Sequence, residues 1–375
     1  MADRRPGGAA AVLLTISTLV GCGSVSDPAE PLTRDKLEDL PGVVTAAAGE
    51  YDGSDGEIRQ SIAVVDMEPD VSPEEMATVV ETVAGAGVDV WAVYVDAGAI
   101  DPEYPTDDDA SGFSSRDVAG MPDPVAAVEP VLIAREIASL TTPNATAGVT
   151  WDEGELATEV LLPSAGTTEV TAVAEALAAE DAFAGRGLSV KGTGNEPLDG
   201  RPISQLVPAA TLSGDDGLDD GLLAQWERLV EALAGGGDDV RPVGVTLSRT
   251  EEGTQTLAWL HLAEPGRAYS VSGDLLRPGD PGYRRYYASS GDPSEITTAA
   301  WGDRLWRVLD PVLDVAAETP DWSVTVREVR DPLTPLVELA ADSAQPGKDE
   351  YGRTWSSEAW ERLRETRSRA YAAGS

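Results

Sequence analysis

The chain has 375 residues, of which 27 are basic, 66 are acidic and one is cysteine, and its formal net charge is −39. An acid excess of this size repels nucleic-acid phosphates and anionic lipid head groups, so nucleic-acid binding is excluded. A single cysteine excludes an internal disulfide, a thiolate zinc site and an iron–sulfur cluster. With 42% hydrophobic residues the chain is expected to be globular, and its length predicts two or three domains.

The N-terminus carries the features of an export signal. Arg4 and Arg5 precede an apolar run, Ala9 to Val20, that is too short to span a bilayer. The run ends in Leu19-Val20-Gly21-Cys22, which contains the sole cysteine. This stretch resembles a bacterial lipobox, the site where a cysteine thiol receives a diacylglyceryl group and the preceding peptide is removed. The resemblance implies a signal peptide at residues 1–21 and a lipid anchor on Cys22.

The lipobox resemblance also predicts a location. The mature protein is expected on the outer face of the cytoplasmic membrane, or on the outer membrane if the source is diderm. Its partner there is the membrane itself, through the N-terminal lipid. Residues 22–32 are predicted to form a tether that lifts the folded part off the membrane.

The order helix, strand, strand, helix, strand then occurs three times. The first copy is predicted as helix Thr33–Leu40, strands Val43–Ala48 and Ile58–Met67, a helix starting at Ser72-Pro73, and strand Val88–Val95. The second is helix Val125–Leu140, strands Thr146–Trp151 and Glu155–Leu162, helix Thr168–Ala184, and strand Leu188–Lys191. The third is helix Asp219–Ala234, strands Val240–Ser248 and Thr254–Leu262, helix Ser294–Ala317, and strand Trp322–Val329. A last helix is predicted near Ser356–Tyr371.

This repetition predicts an α+β fold of three tandem two-layer modules, each an antiparallel sheet with helices on one face. The modules are placed at residues 33–100, 124–193 and 219–332, followed by a C-terminal helical segment at 333–375. The order of elements is similar to that of the small envelope-associated BON module. It is also similar to that of a ferredoxin-like unit if the strand that precedes each copy is counted as part of it. Because these are similarities of element order alone, no function is transferred from either.

Three connectors rich in Pro, Gly and Asp separate the predicted elements, near residues 98–123, 192–218 and 263–293. Connections of this length are uncommon within a compact domain, so they are interpreted as linkers, surface loops or a site. In the first connector, Asp107-Asp108-Asp109-Ala110-Ser111-Gly112 matches the first half of a calcium loop. The twelfth position is Val118, where a bidentate glutamate is needed, so no metal site is predicted.

No catalytic or cofactor motif is found. His261 is the only histidine, and it shares a predicted strand face with Leu257 and Trp259, which indicates a half-buried structural residue. Gly192-Thr193-Gly194-Asn195 follows a strand but lacks the third glycine of a dinucleotide loop. No P-loop, serine elbow or zinc-protease motif occurs. The chain is therefore predicted to use no cofactor, and the pattern favours a non-enzyme over an enzyme.

The stretch Tyr283-Arg284-Arg285-Tyr286-Tyr287 is the sequence's candidate for ligand or partner contact. Its aromatic faces suit sugars and its guanidinium groups suit carboxylates. The alternative interpretation is that the tyrosines pack on the third module and the arginines pair with local acids. The partners that this stretch would suit are a cell-wall glycan, a peptide or an envelope protein.

Three functions follow from these observations. The first is a non-catalytic, lipid-anchored envelope protein that binds or scaffolds a partner. The second is a wall-polymer hydrolase that uses Asp/Glu or Ser/Lys residues. The third is a solute-binding lipoprotein, although repeated parallel strand–helix–strand units of a doubly wound sheet are not evident in the pattern.

Overall fold

The fold is taken from a computed structural model that describes residues 32–52, 59–97, 110–152, 154–194, 207–237, 240–262, 298–328, 331–341 and 357–365. The helices are α1 (Arg34–Glu38), α2 (Pro73–Gly85), α3 (Val128–Thr141), α4 (Thr167–Ala178), α5 (Asp220–Ala234), α6 (Thr298–Ala316) and α7 (357–365). The strands are β1 (Val43–Asp52), β2 (Arg59–Met67), β3 (Val90–Val95), β4 (Ser111–Ser114), β5 (Thr146–Asp152), β6 (Glu155–Leu162), β7 (Leu188–Gly192), β8 (Ala209–Gly214), β9 (Val240–Thr250), β10 (Gly253–Leu262), β11 (Trp322–Glu328) and β12 (Asp331–Ala340).

The strands of these residues form one twelve-stranded mixed sheet whose spatial order equals the chain order, β1 to β12. Each odd-numbered strand pairs antiparallel with the strand that follows it. Each even-numbered strand from β2 to β10 then leads through a helix to the next strand, with which it pairs parallel. The sheet therefore repeats one strand–strand–helix unit, from β1–β2–α2 to β11–β12–α7.

The predicted α+β class is confirmed, but the prediction of separate modules with antiparallel sheets is wrong. The predicted order of elements is observed, and each copy continues into one more strand, which is β4, β8 or β12. Strand β4 pairs parallel with β5, and β8 pairs parallel with β9, so the extra strands join the copies into one sheet. All described elements accordingly belong to one compact unit, Leu32–Ser375.

The extra strands were missed because their sequences carry weak strand signals. Strand β4 has four residues, two of them serine and one glycine, which gives too little alternation to recognise. Strand β8, Ala-Ala-Thr-Leu-Ser-Gly, has the same weakness within a Pro/Gly-rich connector. Strand β12 contains Pro332 and Pro335, and proline argues against strand assignment except at a sheet edge. Strand β12 is that edge.

The helices pack on one face of the sheet, where alternate strand residues form the core. In β6, Leu156, Val160 and Leu162 belong to the helix-covered clusters, whereas Glu159 and Leu161 lie on the opposite face. One cluster lies under α1, α2 and the start of α3, and a larger one lies under the rest of the row. None of the described helices is long and apolar enough to cross a lipid bilayer.

Both edges of the sheet are protected against pairing with another strand. At β1, the backbone N–H of Ala46 donates to Glu38 Oε1 of α1 at 3.4 Å, and Arg34 Nε donates to the same oxygen at 2.7 Å. The contact with Arg34 is the main reason why the pKa of Glu38 lies below its usual value. At β12, Pro332 and Pro335 have no N–H to offer to a further strand. These features disfavour edge-to-edge association.

Helix α2 begins with a capping box. Glu75 N–H donates to Ser72 Oγ at 3.3 Å, while Ser72 N–H and Ser72 Oγ–H donate to Glu75 Oε2 at 3.0 and 2.8 Å. These two donations stabilise the ionised carboxylate and lower the pKa of Glu75 below its usual value. Because α2 connects β2 to β3, its start helps to fix the parallel pairing of those strands.

The capping box predicts an acid-sensitive contribution to stability. Because the folded pKa of Glu75 is depressed, its contribution is present above the usual carboxyl pKa and is lost as the pH falls through the folded value. We therefore expect Glu75→Gln to lower the melting temperature at pH 7, and the difference from wild type to shrink in acid. Glu74→Gln is the matched control, since it removes the same charge from the same turn without a capping contact. Equal, pH-independent losses in both variants would contradict this prediction.

The last helix, α7, packs against α6 through Arg362. Its Nη1 donates to Asp310 Oδ2 at 2.9 Å, and its guanidinium carbon lies 4.3 Å from the centroid of the Trp306 ring. Burial raises the pKa of Asp310, and the charge of Arg362 opposes that rise. Together with buried Ala359 and Leu363, these contacts add α7 to the row of helices.

Candidate ligand-binding cleft

The face of the sheet opposite the helices, here called the second face, changes character along the sheet. In β2 and β3 most of its side chains are apolar and buried, namely Ile62, Val64, Val90, Ala92 and Tyr94. The carboxylate of Asp66, on the same face of β2, is buried there as well. From β5 onwards it is more polar, and serine and threonine residues of neighbouring strands lie in register. One such row contains Ser189, Ser213 and Ser248, and the next contains Thr211 and Thr246. The second face is thus partly a hydroxyl-rich surface, unlike the apolar core face.

A cleft of about 390 Å³ lies on the second face, where its apolar part meets its polar part. Strands β3 to β6 and the segment after β4 line it, and the lining includes Tyr94, Gly112, Asp117, Thr146, Gly148, Thr150 and Glu159. Its volume lies within the range of about 300–1,000 Å³ that is usual for small-molecule sites. Strand pairing explains its position, because β4 and β5 are joined at a single register pair of glycines, Gly112 and Gly148.

The two glycines have different roles in the cleft. Gly112 has φ +153°, and a Cβ atom there would lie 2.2 Å from the Val93 carbonyl oxygen and 2.8 Å from Tyr94 Cδ1. The ring of Tyr94 therefore packs directly against Gly112, as aromatic side chains do over sheet glycines. A Cβ atom at Gly148 would meet only the Gly112 carbonyl oxygen, at 3.5 Å. Gly112 is thus required by the backbone, whereas Gly148 leaves the floor of the cleft open.

The two carboxylates that line the cleft already have protein partners. Asp117 Oδ2 accepts hydrogen bonds from Ser114 N–H at 2.7 Å and Ser114 Oγ–H at 2.8 Å, which hold the turn after β4. Glu159 Oε1 is 2.5 Å from Lys191 Nζ, and both side chains are about half exposed. The Glu159 charge is therefore balanced by Lys191, and Asp117 has a structural role in the cleft wall.

Backbone contacts fix the rest of the cleft wall. The Trp151 N–H donates to the Asp117 carbonyl at 2.6 Å, and the Ala147 N–H donates to Ser111 Oγ at 3.1 Å. These bonds supplement the short β4–β5 pairing and hold Thr146 and Thr150 at the cleft. Within the described part of the chain, no group of three or more His, Cys, Asp or Glu residues is arranged to hold a metal ion. What the cleft offers a ligand is threonine hydroxyls, one ion pair and apolar surface that includes Ala110 and Leu161.

The candidate residues of the sequence fall in different places. Cys22, Tyr283, Arg284, Arg285, Tyr286 and Tyr287 lie outside the described residues, so lipidation and contact through the tyrosine–arginine stretch stay predictions. Asp107, Asp108 and Asp109 also lie outside them, while Val118 is a buried core residue. His261 lies on β10 and is only 1% exposed, a fuller burial than the half-buried position predicted.

The cleft is not among the sites predicted from the sequence. Its floor depends on β4 being adjacent to β5, and β4 lies in a stretch predicted to be a connector. The available signal was the alternation in β5, where Thr146, Gly148 and Thr150 share one face opposite Ala147 and Val149. A glycine between two threonines on the less buried face of a strand indicates a gap in the side-chain layer.

Comparison of the chain with protein-family models, with curated proteins and with solved structures gives no match.

Proposed function

We propose that this chain is a lipid-anchored, non-catalytic binding protein of the bacterial cell envelope, with its ligand held in the cleft on the second face. The anchor rests on the lipobox resemblance of Leu19–Cys22. The binding role rests on the cleft, which interrupts a sheet face that no described helix covers.

The non-catalytic role is inferred from one observation: both carboxylates that line the cleft already have protein partners. A general acid or base must exchange a proton with its substrate, so its oxygens have to be available to that substrate. Asp117 is held by Ser114, and Glu159 is paired with Lys191. Both carboxylates therefore serve better as fixed hydrogen-bond acceptors than as an acid–base pair.

Incubation of the purified protein with isolated wall polymer tests this role. We expect no new reducing ends, whether the protein is wild type or Glu159→Gln. Release of reducing ends by the wild type that the Glu159→Gln change abolishes would instead support the wall-polymer hydrolase.

The anchor gives a separate prediction. We expect Cys22→Ser to move the protein from the membrane fraction to the soluble fraction, or to leave an uncleaved precursor, because the chain has no other thiol for lipid attachment. Fractionation of cells followed by mass spectrometry of the N-terminus measures both outcomes.

Ser24→Ala is the control for this experiment, since it changes a neighbouring side chain and keeps the thiol. It should stay membrane-bound and lipidated. A Cys22→Ser protein that is still fully processed and membrane-bound would refute the lipobox interpretation.

A further inference from the structure

We infer that the cleft binds a neutral saccharide as one unit of a glycan chain, an inference that rests on the proposed binding function of the same cleft. The chemistry of the lining, the charge of the chain and the form of the cleft floor each bear on the class of ligand.

The charge of the chain and of the cleft disfavours anionic ligands. The chain carries a net charge of −39, and two carboxylates, Asp117 and Glu159, line the cleft. Lys191 balances Glu159, so the site offers no surplus positive charge to an anion. An anionic ligand would be repelled at long range and would find no free cation in this ion pair, whereas a neutral ligand meets neither penalty.

The lining groups match a ligand that carries many hydroxyls. Thr146 and Thr150 offer hydroxyls that both donate and accept hydrogen bonds. Ala110 and Leu161 add apolar surface to the lining, against which the C–H groups of a sugar ring can pack. A saccharide has both kinds of surface, with hydroxyls at its edge and C–H groups on its faces.

The floor of the cleft and the surface around it favour a sugar ring that is one unit of a linear glycan. Gly148 has no side chain to fill the floor, so a flat ring can approach the backbone of β5. Beyond Glu159 the second face continues into the serine and threonine rows of β7, β8 and β9. A linear glycan that places one ring in the cleft would have further hydroxyl partners along these rows.

Binding of four neutral trisaccharides to the full-length lipidated protein in detergent tests the inference. The probes are chitotriose, cellotriose, maltotriose and mannotriose, with trigalacturonate as the anionic comparator, and the method is titration calorimetry. We expect saturable binding of at least one neutral probe, and at least tenfold weaker binding of trigalacturonate. We also expect the wild type to be retained on the insoluble polymer of the bound sugar.

Two variants test whether the neutral probe binds in the cleft. Gly148→Val fills the floor and should weaken binding of the neutral probe at least tenfold, while valine suits a strand backbone. Thr150→Val removes one hydroxyl at nearly constant shape and should weaken binding about threefold to tenfold, the loss of one hydrogen bond. Thr168→Val, the same change at an exposed position on α4, should change binding less than twofold.

Each contrary result overturns a stated part of the inference. Absence of binding by all four probes, or tighter binding of trigalacturonate, refutes the neutral-saccharide class. Equal binding by wild type, Gly148→Val and Thr150→Val refutes the cleft as its site, and trisaccharide binding without retention on polymer refutes the glycan chain. If no sugar binds but a photocrosslinker at position 150 captures a protein in intact cells, the saccharide inference fails while the proposed binding function stands.

Discussion

Replacement of Trp226 by alanine is expected to lower the free energy of unfolding by about 3–5 kcal/mol, the usual cost of removing a buried tryptophan side chain. Trp226 lies on α5 and is 0% exposed. Its indole Nε1–H donates to Thr171 Oγ1 of α4 at 2.7 Å, so the variant also removes that partner from the Thr171 hydroxyl. Denaturant unfolding monitored by circular dichroism measures the loss.

The control for Trp226→Ala is a large-to-small change at an exposed helical position. Leu140 on α3 is 83% exposed, so Leu140→Ala should change the free energy of unfolding by less than about 0.5 kcal/mol. Trp226→Phe separates packing from the hydrogen bond, because it keeps most of the ring volume and loses the indole N–H. A loss below about 1 kcal/mol in Trp226→Ala would show that α4 and α5 are not packed as described.

Replacement of Gly112 by alanine is expected to cost about 3 kcal/mol or more. The added Cβ atom would lie 2.2 Å from the Val93 carbonyl oxygen, and φ of +153° is unfavourable for any residue with a side chain. Strand β3 cannot move away easily, because all six of its residues are buried. We expect a lower denaturation midpoint together with faster hydrogen exchange of the β3–β4 amides.

Gly148→Ala is the matched control, since it is the same substitution at the residue that pairs with Gly112. Its Cβ atom has no neighbour closer than 3.5 Å, and alanine costs less than glycine in a strand, so its effect should lie within about 1 kcal/mol of zero. Equal destabilisation by the two substitutions would mean that the β4–β5 junction, rather than the backbone conformation of Gly112, limits stability.

Local signals predicted the elements that have a long, regular apolar pattern. Helix α5 lies where helix Asp219–Ala234 is predicted and buries Leu222, Trp226 and Leu229 at helical spacing. Strand β3 is buried on both faces, as a central strand is. Local signals did not predict that the three copies are joined into one sheet. That connection depends on β4 and β8, whose small residues are specified by the strands beside them more than by their own propensity.

The candidate cleft is not predicted from the sequence for the same reason. Gly112 and Gly148 are 36 positions apart in the chain and meet only because β4 and β5 pair. The residues that were singled out in the sequence, Cys22 and Tyr283–Tyr287, have recognisable local chemistry. In the cleft, the alternation of Thr146, Gly148 and Thr150 is the one local signal, and the other lining residues become recognisable only when the sheet brings them together.

The strand–strand–helix repeat bears on how the gene for such a protein can change in length. Successive helices from α2 to α6 pack in chain order, and each strand pairs with its neighbours in sequence. An in-frame duplication of one unit would therefore extend the row at a local boundary, and a deletion would shorten it, without rebuilding distant parts of the core. We expect relatives of this chain to differ by two strands and a helix at a time, with a strand like β12, which carries Pro332 and Pro335, kept at the end of the array.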